Sequence, residues 1–332
     1  MPSYSGVWTM PAVYQAVAQA NWPIPPLTGD IGMFAGGQNI SSQLVNVIDY
    51  IKITSTGDAV DFGDLTQVLF AGAACASSTR ALFLAGYTTG FAKTNVISYI
   101  TIATIGNATD FGDLSVETAE FAGLSSITRG VVGGGNVTGA NAKTNVIEYV
   151  TIASTGNATD FGDLTLARAS LGACASSTRG VFLGGSVPAG DGSYSNVMDY
   201  ITIASTGNAT DFGDVVRPAS AVTSGGAACS NSTRGLLGGG SASGSSRTNI
   251  ISYITIASVG DTSDFGDLTI DLEALGACAS SSRGVWAGGD SGGESNVIGY
   301  VTIASLGNAT DFGDLTLRRD GDVGCSNCHG GL

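Results

Sequence analysis

Charge is scarce in this sequence. Only 12 % of its 332 residues are Asp, Glu, Lys or Arg, and 27 acidic residues stand against 13 basic ones. The formal net charge of −14 argues against a nucleic-acid-binding surface, whose affinity rests on Lys and Arg neutralising phosphates; it suits solubility at high concentration. Histidine is almost missing, and His329 alone cannot build a metal centre that needs several imidazoles. No G-x-x-x-x-G-K-[ST] phosphate loop is present. No apolar run reaches the ~18–20 residues of a membrane-spanning helix, so no membrane insertion is expected. The opening Met1–Met10 lacks a basic stretch followed by an apolar one, so synthesis in a cytoplasm without a secretory signal is expected.

Cysteine is present without the pattern of a disulfide framework. Cys75, Cys174, Cys229 and Cys278 each stand five residues before an Arg. Equivalent positions of neighbouring repeats are expected to lie beyond the ~7 Å Cα separation that a disulfide tolerates, and to be small buried thiols. The Cys325–His329 run, CSNCH, matches a haem-attachment pattern, and a zinc half-site is the other metal reading. Cys325 lies as far after Asp314 as Cys174 does after Asp163, so it is expected to be the repeat cysteine in its usual strand, with His329 near the slot of the repeated Arg. No cofactor and no metal are expected.

What the chain does have is a repeat. Asn46, Asn95, Asn145, Asn196, Asn249 and Asn296 each open a copy of NVIEYVTIASTGNATDFGDLT, and an Asp follows fifteen residues later in every copy. A period of roughly 50 residues marks a propeller, solenoid or array. Abundant Gly, Ser, Thr, Val and Ile with few helix formers indicates an all-β fold. Within one period the short apolar run Arg179–Gly185 reads as a buried strand b ended by a turn. Asn145–Ser154 reads as strand c with both faces covered. Thr155–Ala158 is a hairpin turn, Thr159–Thr165 an outer strand d whose carboxylates discourage strand addition, and Ala169–Ser176 strand a. The repeat starts at a strand b (Gly32) and stops after a strand a (about Gly321–Cys328). The expected fold is therefore a six-bladed β-propeller of four-stranded antiparallel blades over residues 31–332, closed by the C-terminal strand pairing with the N-terminal blade. Residues 1–30 lie outside the repeat. Trp8, Tyr14 and Trp22 make this a docking segment, because aromatic residues anchor interfaces.

The paired Asp of DFGD, such as Asp160 and Asp163, are read as turn and edge residues; ordered calcium is the alternative. The recurring Arg80, Arg129, Arg179, Arg234 and Arg283 are read as ties to loop carbonyls between blades, since a guanidinium offers five donors; a carboxylate-binding cluster is the functional alternative. The Asn-Ala-Thr sites, such as Asn157, are read as turns. The c–d and a–b turns are nearly identical in all copies, whereas the b–c and d–a loops vary and open on the opposite face, where binding specificity usually resides. The longest b–c loop is Ser186–Ser195, and four extra residues precede Cys229. Asp191, Tyr194 and Arg217 in that sector, with Tyr87 and Phe91, are the candidate binding residues. No non-repeated carboxylate cluster offers itself for catalysis.

The order Arg, apolar triplet, Gly-Gly, Asn-rich loop and third-strand Tyr resembles the kelch repeat and its six-bladed propeller, with Phe161 standing nearest to the kelch Trp. One enzyme on such a scaffold, galactose oxidase, needs His copper ligands that this chain lacks. The NVIxYxTIASxGNATDFGDL consensus and the SSTRGVFxGG run also resemble kelch-like structural proteins of tailed bacteriophages, and Ser5–Pro23 is similar to the starts of phage tail and fibre proteins. This resemblance implies a non-enzymatic virion component. It would be joined to tail, fibre or baseplate proteins through its N-terminal segment, with its propeller offered to a host glycan, a host protein or another virion protein. The alternatives are a free carbohydrate-binding lectin or a glycan-cleaving enzyme, and a scaffold that holds other proteins.

Overall fold

A computed structural model describes residues 26–139, 142–188, 194–217, 225–242 and 246–332. Within them six four-stranded antiparallel blades surround one axis. In blade 2 the strands run from the axis outward as Ala73–Ala76, Arg80–Thr88, Ala92–Thr101 and Thr109–Asp113. Blades 3 to 6 start from the inner strands Ala122–Ser125, Gly172–Ala175, Ala227–Ser230 and Gly276–Ala279. Blade 1 takes its inner strand, Val323–Ser326, from the far end of the chain and its others, Ile31–Ala35, Val47–Lys52 and Val60–Asp64, from the near end. The register Gly32↔Ser326, Met33↔Cys325, Phe34↔Gly324 and Ala35↔Val323 closes the ring as the repeat boundaries required. Each inner strand meets the inner strands of the blades on both sides.

The core lies between blades. Side chains of a strand alternate between two faces, and in a propeller each face meets a different neighbour. Ala74 and Ala76 therefore pack with Ile31 and Met33 of blade 1, while Cys75 packs with Val132, Val150 and Ile152 of blade 3. Cys75, Cys174, Cys229, Cys278 and Cys325 are buried free thiols, and burial raises their pKa far enough to keep them protonated, to about 12 for Cys75 and Cys174.

Two repeated devices join one blade to the next. The Arg at the head of strand b lies over its own blade's Tyr and donates to a carbonyl of the following blade: Arg80 over Tyr99 and to Ile152 O at 3.0 Å, Arg283 over Tyr300 and to Ile53 O at 2.8 Å. That Tyr in turn meets the DFGD Phe edge-on, as in Tyr149–Phe161 at 5.9 Å. At the rim, the turn of one blade docks on the outer strand of the preceding blade. Gly106 N donates to Phe62 O and Ala108 N to Asp64 O, while Asp64 N donates to Asn107 Oδ1 at 3.1 Å. A Cβ on Gly63 would come 2.7 Å from the Gly106 backbone, which is why the DFGD motif keeps glycine. The repeated Arg and Asn-Ala-Thr residues are thus structural ties.

Candidate functional site

The two ends of the central channel differ. At the variable face the chain of each blade turns from the outer strand to the axis through one residue in the left-handed region: Ala71, Glu120, Ser170, Gly225, Ala274 and Gly321, with φ of 51, 58, 54, 71, 54 and 63°. The N–H of each donates to the carbonyl of its counterpart in the preceding blade at 2.6–2.9 Å, from Glu120 to Ala71 around to Ala71 and Gly321. This makes a closed circle of six backbone hydrogen bonds. Four of the six carry a Cβ in a conformation that costs roughly 1–2 kcal/mol per residue, so the circle holds them there.

Inside this circle opens a cavity of about 280 Å³ lined by Phe70, Glu120, Ser170, Leu171, Glu273, Leu275 and Asp322 among others. Glu120 accepts from Tyr87 Oη at 2.8 Å and from Ser170 Oγ at 3.2 Å. Burial first, then the Glu120 charge, raises the Tyr87 phenol well above its ordinary value. Glu273 pairs with Arg247 Nε at 3.2 Å, and Arg247 also pairs with Asp290 at 2.5 Å. Asp322 is 4 % exposed, and neither carboxylate oxygen meets a donor. Burial pushes it up to about 7; Arg319 opposes the rise, and the Asp320 and Asp49 charges add to it. Asp320 is raised to about 6, chiefly by burial and then by Asp290 and Glu294.

Blade 2 carries a projection over this mouth. Its second and third strands continue pairing to Thr88↔Ala92 around the turn Thr89–Phe91, whereas the second strand of blade 3 ends at Gly133. Phe91 at the tip is 53 % exposed with φ 57°. It meets Phe70 and Tyr87 at 6.0 Å each, and those two rings lie 6.2 Å apart. Lys93 Nζ sits 5.9 Å over the Tyr87 ring.

The structure therefore brings together Tyr87 and Phe91 at the rim of the mouth. Tyr194 is half-buried in a bridge to Ser186 on blade 4. Asp191, Trp8, Tyr14 and Trp22 lie outside the described residues, as does most of the inserted sector around 189–193 and 218–224. Arg217 requires correction as a surface contact. It is 7 % exposed and donates inward to Gly239 O at 2.7 Å, Leu237 O at 2.9 Å and Ser252 Oγ at 3.1 Å. It joins blade 4 to blade 5, as Arg168 with Asp199 joins blades 3 and 4 and Arg319 with Asp49 joins blades 6 and 1. Phe70, Glu120 and Asp322 were missed by sequence reasoning. For Asp322 a signal existed, because it stands three residues before the repeat cysteine, where blades 4 and 6 have Leu171 and Leu275.

The opposite end is stopped by the chain's own last residues. Cys325 sits in the strand as expected, but His329 does not take the Arg slot, since the second strand of blade 1 is Ile31–Ala35 from the near end. It crosses the channel instead, with Nε2 3.0 Å from both Ser125 Oγ and Ala76 O. Gly331 N donates to Nδ1 at 3.0 Å, which fixes the proton on Nε2; burial lowers the basicity of the ring. A Cβ on Gly331 would lie 1.8 Å from Ser125 O and one on Gly330 2.1 Å from Asn231 O, so only glycines pass here. Above this stopper a cavity of about 50 Å³ remains between the inner strands.

These features define a six-bladed β-propeller with one open and one sealed end. A scan against protein-family models finds no match, and a search of curated proteins finds none either.

Proposed function

We propose that this propeller is a non-enzymatic interaction module of a tailed-bacteriophage particle. In this reading residues 1–30 attach it to a tail, fibre or baseplate protein and the variable face is turned to a partner. The observation that carries the binding role is the contrast between the ends. The sealed end spends its repeated turns and its tail on structural ties, and the open end gathers an acidic mouth, the Phe70–Tyr87–Phe91 rings and an exposed aromatic tip. Concave sites with aromatic walls and a few placed polar groups are where ligands bind. The placement in a virion rests on the sequence resemblance of the NVIxYxTIASxGNATDFGDL repeat. A free carbohydrate-binding lectin is the second reading, favoured by the exposed Phe91 ring beside hydroxyl-accepting Glu120.

Electron microscopy of intact particles tests the proposal. The expected map holds this propeller with its open end facing another chain or the surroundings. A particle without the chain removes the virion assignment, and a map in which the sealed end makes the partner contacts removes the role of the variable face.

A further inference from the structure

We propose that the junction of blades 2 and 3 binds one monovalent cation of about the size of potassium, seated against Glu148 where other junctions seat a guanidinium. The site lies between blades, apart from the axial mouth.

Three junctions show how the slot is filled. Asp49, Glu148, Asp199 and Ser252 each stand three residues after a repeat Asn, and each pairs with the matching residue of its second strand: Phe34, Val132, Phe182 and Leu237. Arg168 of blade 3 donates to Asp199, Val197 O and Gly184 O. Arg217 of blade 4 donates to Ser252 Oγ and Gly239 O, and Arg319 of blade 6 to Phe34 O while it pairs with Asp49. Arg168 and Arg319 stand five residues after Asp163 and Asp314. Five residues after Asp113 stands Thr118, so blade 2 sends no guanidinium to blade 3.

Glu148 nevertheless keeps the carboxylate. It is 6 % exposed. Its Oε1 accepts from Ser115 N at 3.1 Å, and among the described residues no other donor and no ion pair reaches it. Beside it lies a cavity of about 20 Å³ lined by Thr118, Gly134, Thr144, Val146 and Glu148 among others. Gly134 N donates to Val146 O just as Gly184 N donates to Val197 O, so Gly134 and Val146 are the counterparts of the residues whose carbonyls receive Arg168. Gly134 O accepts no hydrogen bond among the described residues. Thr118 Oγ1 gives its proton to Val116 O at 3.1 Å and has lone pairs left. The cavity is therefore the imprint of the missing guanidinium, walled by oxygen.

Size and charge select the occupant. The volume suits one water-sized body, and potassium is of that size. Water alone would leave a buried carboxylate without the opposite charge that such groups require. Calcium takes roughly six to eight oxygens, and among the described residues no group of three acids, His or Cys converges. One positive charge against one carboxylate repeats the balance of Arg168 with Asp199.

The test pairs crystallography of the full chain grown in rubidium chloride, an anomalous scatterer that replaces potassium, with thermal unfolding in potassium chloride and in tetramethylammonium chloride at equal ionic strength. The organic ion is too large for the cavity. We expect an anomalous peak beside Glu148 and a Tm higher in potassium by about 2 °C or more. Glu148→Gln should abolish both, and Asp271→Asn, on an exposed residue of blade 5, should leave both in place. Thr118→Arg should supply the guanidinium and make Tm the same in the two salts. Absence of the rubidium peak overturns the proposal whatever the variants do, as does an equal Tm of the unaltered chain in the two salts or an undiminished potassium effect in Glu148→Gln. A larger rise of Tm with calcium than with potassium overturns the monovalent assignment.

Discussion

The open and sealed ends of the channel are built from the same six inner strands, yet they differ in what the chain spends there. At the sealed end the tail is stitched to carbonyls and hydroxyls of Ala76, Ser125 and Ser230. At the open end the backbone satisfies itself in a circle and leaves Glu120 and Glu273 lining the cavity, while the Asp322 carboxylate turns between blades against Gly276 and Gly288. Sixfold repetition supplies the ring, and departures from the repeat supply its chemistry. Asp322 in the slot of Leu171 and Leu275 and the terminal Cys328–Leu332 segment each occur once, and the hairpin between second and third strands is lengthened in blades 2 and 5.

The sharpest way to break the contrast is to remove the closing strand. A chain ending before Asp322 loses both the stopper and the inner strand of blade 1, exposing the edge Ile31–Ala35. We expect loss of the single cooperative thermal transition and aggregation, seen by circular dichroism and size exclusion, because unpaired strand edges template association. Next in size is the buried tie between blades 3 and 4. Arg168 lowers its cost of burial by pairing with Asp199, both fully buried. Arg168→Ala strands the carboxylate and should lower unfolding free energy in urea by about 3–5 kcal/mol, without altering ligand binding at the mouth.

The third experiment separates the ends by pH. Asp322 holds its proton up to about 7 in the folded chain but only to ~3.9 when unfolded. The folded state therefore binds the extra proton between those values, so this residue's effect is absent below the lower value. It erodes stability as pH rises through the window and is constant above about 7. Asp322→Asn should remove a loss on the order of a few kcal/mol between pH 4 and 7, measured as the difference between the two proteins' urea-unfolding curves. His329→Ala, at the sealed end, should cost about 1–2 kcal/mol through lost hydrogen bonds and leave that window in place. The smallest expected effect is a gain. Ala274→Gly relieves a left-handed φ of 54°, roughly 1–2 kcal/mol, against ~0.4–1 kcal/mol of added unfolded-chain entropy. The net stabilisation of about 0.5–1 kcal/mol should appear as a small rise in Tm.

Much of the fold was legible because propeller blades contact only their neighbours, so every copy must carry its own half of each tie. The Asn-to-Asp spacing, the recurring Arg and the terminal strand fragments reflect that demand, and the closing register and the Arg–carbonyl bonds agree with it. The site was legible only in part. Tyr87 and Phe91 stood in a loop of the variable face, but nothing in the chain order says that they meet Phe70 over the axis. Arg217 also looked like a loop residue on that face. Its inward course depends on Ser252 of the next blade, which stands three residues after Asn249 as Asp199 does after Asn196 and Asp49 after Asn46. Reading those positions as pairs would have placed it inside. Strand a proved shorter than the apolar run, Gly172–Ala175, since Ala169 and Ser170 belong to the bend that enters the axis.

By itself the sequence determined the number of blades, the direction of closure and the identity of the ties, because these are periodic and local to adjacent copies. Only the tertiary structure decided which end of the channel is open. That outcome depends on residues from four or more blades converging on one axis and on the path of six residues after the last strand, and such convergence leaves no period in the chain to read.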